Sequence, residues 1–265
     1  MTVVRVGSVQ YLNALPLVHG LDSRPELFSL AFDVPSKCAS MLRDNTVDLA
    51  LIPTIEYARR SDYFVVPDIA VISEGPVASV AIFTKRPPTA IRSIAIDSSS
   101  RTSVALLRIL CARWFDIEPT FVTMRPDQEA MLKRCDAALL IGDTALFTEH
   151  EMTDLEKIDL GEEWTHMTNL PFVWAFWAGR IDILEESHLE ALFKAREEGV
   201  SALDAIAKKY GSDDEERVGR AQSYLRENVH FNLTERALEG LKEFYKSAHD
   251  LGIVQQAATL RFYDK

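Results

Sequence analysis

The sequence lacks several features that define whole classes of proteins. No segment approaches the ~20 consecutive apolar residues that a membrane-spanning helix needs. The N-terminal residues lack the basic region, apolar core and cleavage site of a secretory signal peptide. The three cysteines, Cys38, Cys111 and Cys135, form no CxxC pair, which argues against a disulfide framework or a zinc site. We therefore expect buried, reduced thiols in a cytoplasmic protein without a membrane partner.

Motifs for nucleotides, metals and common nucleophiles are also absent. The chain contains no glycine-rich dinucleotide motif and no P-loop. It has no HExxH or GxSxG motif, and its six histidines are scattered along the chain. The sequence thus signals no dinucleotide site, no P-loop nucleotide site and no metal-binding cluster.

Basic residues are fewer than acidic ones. Lys and Arg number 29 against 40 Asp and Glu, so the formal net charge is −11. Such a surface is unfavourable for nucleic acid or anionic lipid, and we expect neither as a partner. At 265 residues, with 47% hydrophobic and 26% charged residues, the chain is typical of a globular protein with one large domain or two ordinary ones.

Short apolar segments typical of strands alternate with helical segments through the first two-thirds of the chain. This alternation predicts an α/β fold with parallel strands. The predicted strands are Val3–Val9, Leu27–Val34, Asp48–Pro53, Tyr63–Ser73, Val77–Lys85, Ser93–Asp97, Thr120–Thr123 and Ala137–Gly142. The predicted helices include Ser36–Asp44, Thr102–Phe115 and Asp127–Arg134, and from about Ser187 onward the periodicity is helical only.

A weak internal repeat indicates two similar lobes. Met41 precedes Asp48 and a buried strand, and Met131 precedes Asp136 and a second buried strand in the same arrangement. Chance similarity between two strand–helix–strand units is the alternative explanation.

Two long β-type segments, Val77–Lys85 and Phe172–Gly179, would carry the chain between such lobes. We predict a first lobe of residues 1–84 and 177–265 and a second lobe of residues 85–176. Because ligands bind beyond the carboxyl ends of parallel strands, the predicted site lies in the cleft between the lobes.

Polar residues follow several of the predicted strands. Asn13 stands shortly before Pro16, which suits the first turn of a helix, so Asn13 could cap that helix or reach into the cleft. Thr54, Ser79 and Asp143 are individually typical of caps or turns. They gain weight only if two lobes bring them together.

A hydroxyl-rich turn, Asp97–Ser103, precedes a predicted helix. Helix N-termini attract anions through unpaired N–H groups, and five hydroxyls in this turn exceed what one cap requires. We predict that the turn binds a carboxylate or phosphate. Arg101 could bind the same anion or lie on the surface. The candidate anion-binding residues are Ser98, Ser99, Ser100, Thr102 and Ser103.

Four segments occur in the order typical of one enzyme family: Ser8–Leu17, Gly75–Val80, Asp97–Ser103 and Leu170–Trp177. They resemble the chorismate dehydratases of the futalosine route to menaquinone. The resemblance implies a two-lobed, periplasmic-binding-protein-like fold of type II with central mixed sheets. It also implies a helical C-terminal extension packed on the first lobe, a cytoplasmic location and no metal or organic cofactor.

The resemblance further implies the reaction and its residues. Chorismate, a small dianion, would lose water to give 3-[(1-carboxyvinyl)oxy]benzoate. The matching segments contain no obvious His or Glu base, so we hypothesise that Asn13 and Ser79 are the catalytic residues and position the reacting centre, and that the enolpyruvyl carboxylate of the substrate accepts the proton. Besides the turn, the substrate-binding residues would be Ser8, Tyr11, Thr54, Gly142 and Asp143. We expect the C-terminal helices only to brace the first lobe.

Two other functions fit parts of the pattern. The sister enzyme of the same route, which makes 1,4-dihydroxy-6-naphthoate, carries a His-Glu pair where this chain has Gly142 and Asp143. That difference favours the dehydratase. A non-enzymatic solute-binding protein would share the lobes and the anion site, but would normally carry a signal peptide.

Overall fold

A computed structural model describes residues 2–60, 62–148 and 154–264. The strands are β1 (Val4–Ser8), β2 (Phe28–Phe32), β3 (Leu49–Pro53), β4 (Tyr63–Ser73), β5 (Val80–Thr84), β6 (Ser93–Asp97), β7 (Thr120–Met124), β8 (Ala137–Ile141), β9 (Glu156–Asp159), β10 (Phe172–Arg180) and β11 (His230–Asn232). The α-helices are α1 (Pro35–Arg43), α2 (Thr54–Ala58), α3 (Thr102–Arg113), α4 (Gln128–Arg134), α5 (Gly142–Phe147), α6 (Leu160–Thr168), α7 (Glu186–Ser201), α8 (Leu203–Gly211), α9 (Glu215–Ser223) and α10 (Glu235–Asp250). A 3₁₀ helix spans Leu12–Val18, and a π-helical turn spans Tyr224–Asn228. All eight predicted strands are present.

The strands form two mixed sheets with the same internal order. The first sheet runs β11-β4-β10-β3-β1-β2, and the second runs β7-β6-β8-β5-β9. In each, the second strand from one edge, β1 or β6, has two parallel neighbours, and the strand after these, β10 or β5, is antiparallel. This shared order confirms the two-lobed α/β fold and the internal repeat.

The repeated aspartates have the same role in both sheets. Asp48, just before β3, accepts the backbone N–H of Arg5 in β1 and pairs with its guanidinium at 2.7 Å. Asp136, just before β8, accepts the backbone N–H of Arg92 at the start of β6 and pairs with Arg86 at 3.0 Å. These bonds lower the pKa of both carboxyls. The repeat therefore preserves a link between β1 and β3 in the first sheet and between β6 and β8 in the second.

The chain crosses between the sheets at the two predicted segments. It leaves β4 and enters the second sheet at β5, then leaves α6 and returns through β10, which lies between β3 and β4. The chain changes sheets a few residues before each predicted lobe limit. Residues 80–84 already pair in the second sheet, and residues 172–176 already pair in the first. The limits at 84 and 176 stay a prediction.

The C-terminal helices pack on the first sheet but also reach the second lobe. Helix α10 lies so close to the start of β10 that a Cβ on Gly240 would stand 2.0 Å from the carbonyl oxygen of Pro171. From α8, however, the Tyr210 hydroxyl donates to Asp143 in the second lobe. The expectation that these helices only brace the first lobe is therefore wrong.

The C-terminal third is also not purely helical. Strand β11 adds to the edge of the first sheet beside β4. Three residues are too few to show an alternating pattern, so the sequence did not reveal it. All three cysteines are free and buried, as expected. Within the described residues, no helix is long and apolar enough to cross a bilayer.

Candidate active site

A pocket of about 80 Å³ lies between the two sheets. It has room for several waters or a small organic molecule. Strand ends and connections from both sheets form its walls, as the fold requires. Most lining residues are apolar: Val9, Pro35, Leu51, Pro53, Val71, Val77, Val80, Ile141, Trp174 and Ala175. The other lining residues are Tyr11, Asn13, Ser79, Ser100, Arg101, Thr102, Ser103 and Gly142.

Asn13 lies in the 3₁₀ helix that follows β1, and its side chain lines the pocket. This helix has no side-chain cap, and Pro16 falls inside it rather than in its first turn. Of the two roles that the sequence left open for Asn13, the structure therefore shows the position in the cleft.

Tyr11 and Gly142 meet across the cleft. A Cβ on Gly142 would lie 2.9 Å from Cε2 of Tyr11, and the φ of Gly142 is +60°. Both facts favour glycine here. A side chain would collide with the Tyr11 ring, and residues other than glycine adopt this backbone region only at a cost. Burial raises the pKa of the Tyr11 phenol, and hydrogen bonding with Ser99 opposes the shift.

The hydroxyl-rich turn divides into two groups at the start of α3. Ser100, Thr102 and Ser103 are buried and line the pocket. Ser99 instead donates its N–H and O–H to Asp97, each at 2.8 Å. Ser98 is exposed and lies in a neighbouring groove.

The helix start is left available to a ligand. No side chain caps α3, so a capping serine does not explain the turn. The Ser100 Oγ is buried without a hydrogen-bond partner among the described residues. An uncapped helix start beside an unpartnered buried hydroxyl suits an anion.

Arg101 is the only lining residue with a formal charge in the described part of the chain. Its side chain is exposed and lies where the pocket meets two outer grooves. It can therefore place a positive charge at the mouth of an otherwise uncharged pocket.

Ser79 stands at the end of a tightly held loop before β5. It is 1% exposed, and its Oγ lies 2.8 Å from the hydroxyl of Tyr224. Ala78 has a φ of +59°. Its N–H donates to Asp159 at 2.6 Å, and its carbonyl accepts from Nζ of Lys157 at 2.7 Å. Two residues of β9 thus fix the backbone that carries Ser79.

Besides Ser98 and Ser99, three predicted binding residues do not line the pocket. Ser8 is fully buried, and its Oγ has no partner among the described residues. The Thr54 hydroxyl donates to the carbonyl of Val173 at 2.9 Å and lies 3.4 Å from that of Thr102. The side chains of Ser8 and Thr54 are therefore buried outside the pocket.

Asp143 is the last of the predicted binding residues that do not line the pocket. One carboxylate oxygen accepts the N–H of Leu12 at 3.2 Å, and the other accepts the hydroxyl of Tyr210. Burial raises the pKa of this carboxyl, and the two donated hydrogen bonds oppose the shift. Asp143 thus links the second lobe to the first lobe and to α8, a structural position that the sequence did not indicate.

The fold is that of the periplasmic binding proteins. A Candida albicans protein described as having the generic periplasmic binding protein fold is 14% identical and has a TM-score of 0.69, covering 100% of this chain and 98% of that chain. A crystal structure of an Archaeoglobus fulgidus protein is 20% identical with a TM-score of 0.75, covering 95% of this chain and 98% of the other.

Sequence comparisons show the family. The model of a family described as menaquinone biosynthesis matches residues 4–250. A chorismate dehydratase from Thermus thermophilus is 32% identical over 260 residues, covering 90% of this chain and 93% of the relative. One from Campylobacter jejuni is 26% identical, covering 93% and 98%. The chain belongs to the menaquinone biosynthesis family.

Proposed function

We propose that this protein is a chorismate dehydratase. It eliminates water from chorismate to give 3-[(1-carboxyvinyl)oxy]benzoate, the first step of the futalosine route to menaquinone. The family and the curated relatives support this assignment. The observation that carries it is the pocket between the lobes, where a cation and several hydroxyls meet apolar walls. Such a pocket suits a small anion with a largely apolar ring.

The composition of the pocket supports a proton acceptor on the substrate. None of the described lining residues is His, Asp, Glu, Lys or Cys. The Tyr11 phenol has a raised pKa and stays protonated at neutral pH. Apolar surroundings disfavour a charged carboxylate and so raise its basicity. The enolpyruvyl carboxylate therefore takes the C3 proton and the C4 hydroxyl leaves. The proton and the hydroxyl combine as water, and the ring becomes aromatic.

Asn13 and Ser79 position the reacting centre in this proposal. Both line the pocket, and both offer a hydrogen-bond donor to a leaving hydroxyl or to a reacting carboxylate. Loss of one well-placed donor in a site of this kind costs about 10²–10³-fold in kcat. We therefore expect Asn13→Ala and Ser79→Ala each to lower kcat by about 100-fold. Near-normal rates in both variants would contradict these roles.

The start of α3 holds one carboxylate of the substrate. Ser100 offers an unpartnered hydroxyl, and the uncapped helix contributes N–H groups and a partial positive charge. Hydrogen bonds to charged groups contribute ~1.5–3 kcal/mol each, so two or three offset much of the cost of desolvating a carboxylate. The overall charge of −11 weakens long-range attraction but does not prevent this local recognition.

Turnover of chorismate tests the assignment directly. The protein is incubated with chorismate, and the products are separated by chromatography and identified by mass. We expect an aromatic product lighter than chorismate by one water. Parallel samples without protein and with Ser79→Ala control for spontaneous decay. Chorismate that binds but stays unchanged would instead support a solute-binding protein.

A further inference from the structure

Tyr224 reaches the candidate active site from the C-terminal region of the chain. It begins the π-helical turn Tyr224–Asn228 that follows α9, and its side chain is 2% exposed. Single π-helical turns occur frequently at functional sites, because they rotate one side chain out of the regular helical pattern. Tyr224 does not itself line the pocket. Any effect on the reaction must therefore pass through the residues that its hydroxyl contacts.

The Tyr224 hydroxyl contacts one of the two residues that we place at the reacting centre. Its oxygen lies 2.8 Å from the Oγ of Ser79. The side chain of Asn13 is also near enough to lower the pKa of the phenol. Ser79 lies in the crossing into the second lobe, so a residue of the C-terminal region contacts the segment that joins the two lobes.

Either hydroxyl can be the donor in this bond, and Tyr224 can donate as long as the phenol keeps its proton. Burial raises the pKa of Tyr224 well above its usual value, although the hydrogen bonds with Ser79 and Asn13 oppose the shift. The phenol therefore keeps its proton at neutral pH. When it donates that proton to the Oγ of Ser79, the hydroxyl hydrogen of Ser79 is left to point elsewhere. Since Ser79 lines the pocket, its own hydrogen is then available to the ligand.

A purely structural explanation exists for any buried tyrosine, because its hydroxyl needs a partner. Tyr245 shows that case. It is 1% exposed, and its hydroxyl donates to the backbone carbonyl of Thr54 at 2.8 Å. That bond ends on the backbone of a residue outside the pocket. The bond of Tyr224 ends on a hydroxyl inside it.

We propose that Tyr224 is a positioning residue that donates to Ser79 and so directs the Ser79 hydroxyl hydrogen towards the C4 hydroxyl of the substrate. This inference rests on the proposed dehydratase function. It assigns the C-terminal region a part in the reaction, although that region contributes no lining residue to the pocket among those described.

Tyr224→Phe tests the proposal because it removes only the hydroxyl. A neutral hydrogen bond of this kind is worth about tenfold, so we expect kcat to fall by about tenfold while KM stays within about twofold. In a Ser79→Ala background, the same substitution should change kcat by less than about twofold, since residues that act as a unit are not additive. Tyr245→Phe is the matched control and should lower the melting temperature without changing kcat.

The outcomes separate this inference from the proposed function. A wild-type protein without turnover of chorismate overturns the function, and the inference with it. An active wild type with equal effects of Tyr224→Phe in both backgrounds overturns only the inference. The same conclusion follows if Tyr224→Phe and Tyr245→Phe lower kcat alike. It also follows if Tyr224→Phe does not fold while Tyr245→Phe does, because the bond would then serve stability.

Discussion

Replacing Arg101 with Gln should weaken substrate binding rather than slow the chemical step. Arg101 is the only formally charged side chain among the described residues that line the pocket. The proposed substrate carries two carboxylates. No hydrogen bond or ion pair within the described residues occupies the Arg101 guanidinium. It can therefore pair with a carboxylate without first losing a partner.

The size of the effect follows from the exposure of this side chain. Hydrogen bonds to charged groups contribute ~1.5–3 kcal/mol. Arg101 is exposed, so water screens the pair and the lower end of this range applies. Since ~1.4 kcal/mol corresponds to a factor of ten, KM should rise about tenfold. The interaction is the same before and during the reaction, so kcat should stay within about twofold.

Initial rates over a range of chorismate concentrations measure both constants. Arg108→Gln is the matched control, because it removes an equal charge about two turns further along α3. Arg108 is also exposed, stacks on the ring of Phe121 at 4.4 Å and does not line the pocket. Added salt should narrow the difference between wild type and Arg101→Gln. An unchanged KM for Arg101→Gln, or an equal rise for Arg108→Gln, would refute the reasoning.

Two further predictions concern stability. Gly240→Ala should lower the melting temperature by several degrees, because its Cβ would lie 2.0 Å from a backbone oxygen and overpacking costs ~1–3 kcal/mol. Gly219→Ala in α9 is the control, because nothing lies within 4 Å of its Cβ, and it should raise the melting temperature slightly. Equal changes in the melting temperatures of the two variants would contradict the close packing of α10. The Asp48→Asn/Asp136→Asn double variant should have a lower free energy of unfolding than the wild type at neutral pH. The wild type has this stabilisation above the unfolded-state pKa of about 4 and loses it as the pH falls through the lowered folded-state pKa. Urea unfolding at several pH values should therefore show a shallower acid decline for the variant, and parallel declines would count against these links.

Secondary structure was predictable where a segment has its own periodicity. The eight predicted strands, the crossings and the repeat depend on apolar patterns that a single segment carries. The short edge strands β9 and β11 were missed, because three or four residues carry too little pattern. The first of these includes Asp159, which holds the loop before Ser79.

The candidate site was predictable only in part. Asn13, Ser79 and three of the five hydroxyl residues of the turn line the pocket, whereas Thr54 and Asp143 bond to backbone and side chains around it. All of them follow strands, so their positions along the chain are alike. What separates them is which neighbour each side chain meets after folding.

The sequence by itself determined the α/β class, the two similar lobes, the strands that cross between them and the family resemblance. These properties follow from local periodicity and from residue order. Only the tertiary structure decided which polar side chains share the pocket. Tyr224 meets Ser79 across a sequence separation of 145 residues, and Asp159 meets Ala78 across 81. No local pattern encodes such pairs, because they form only when the two sheets and the C-terminal helices pack together.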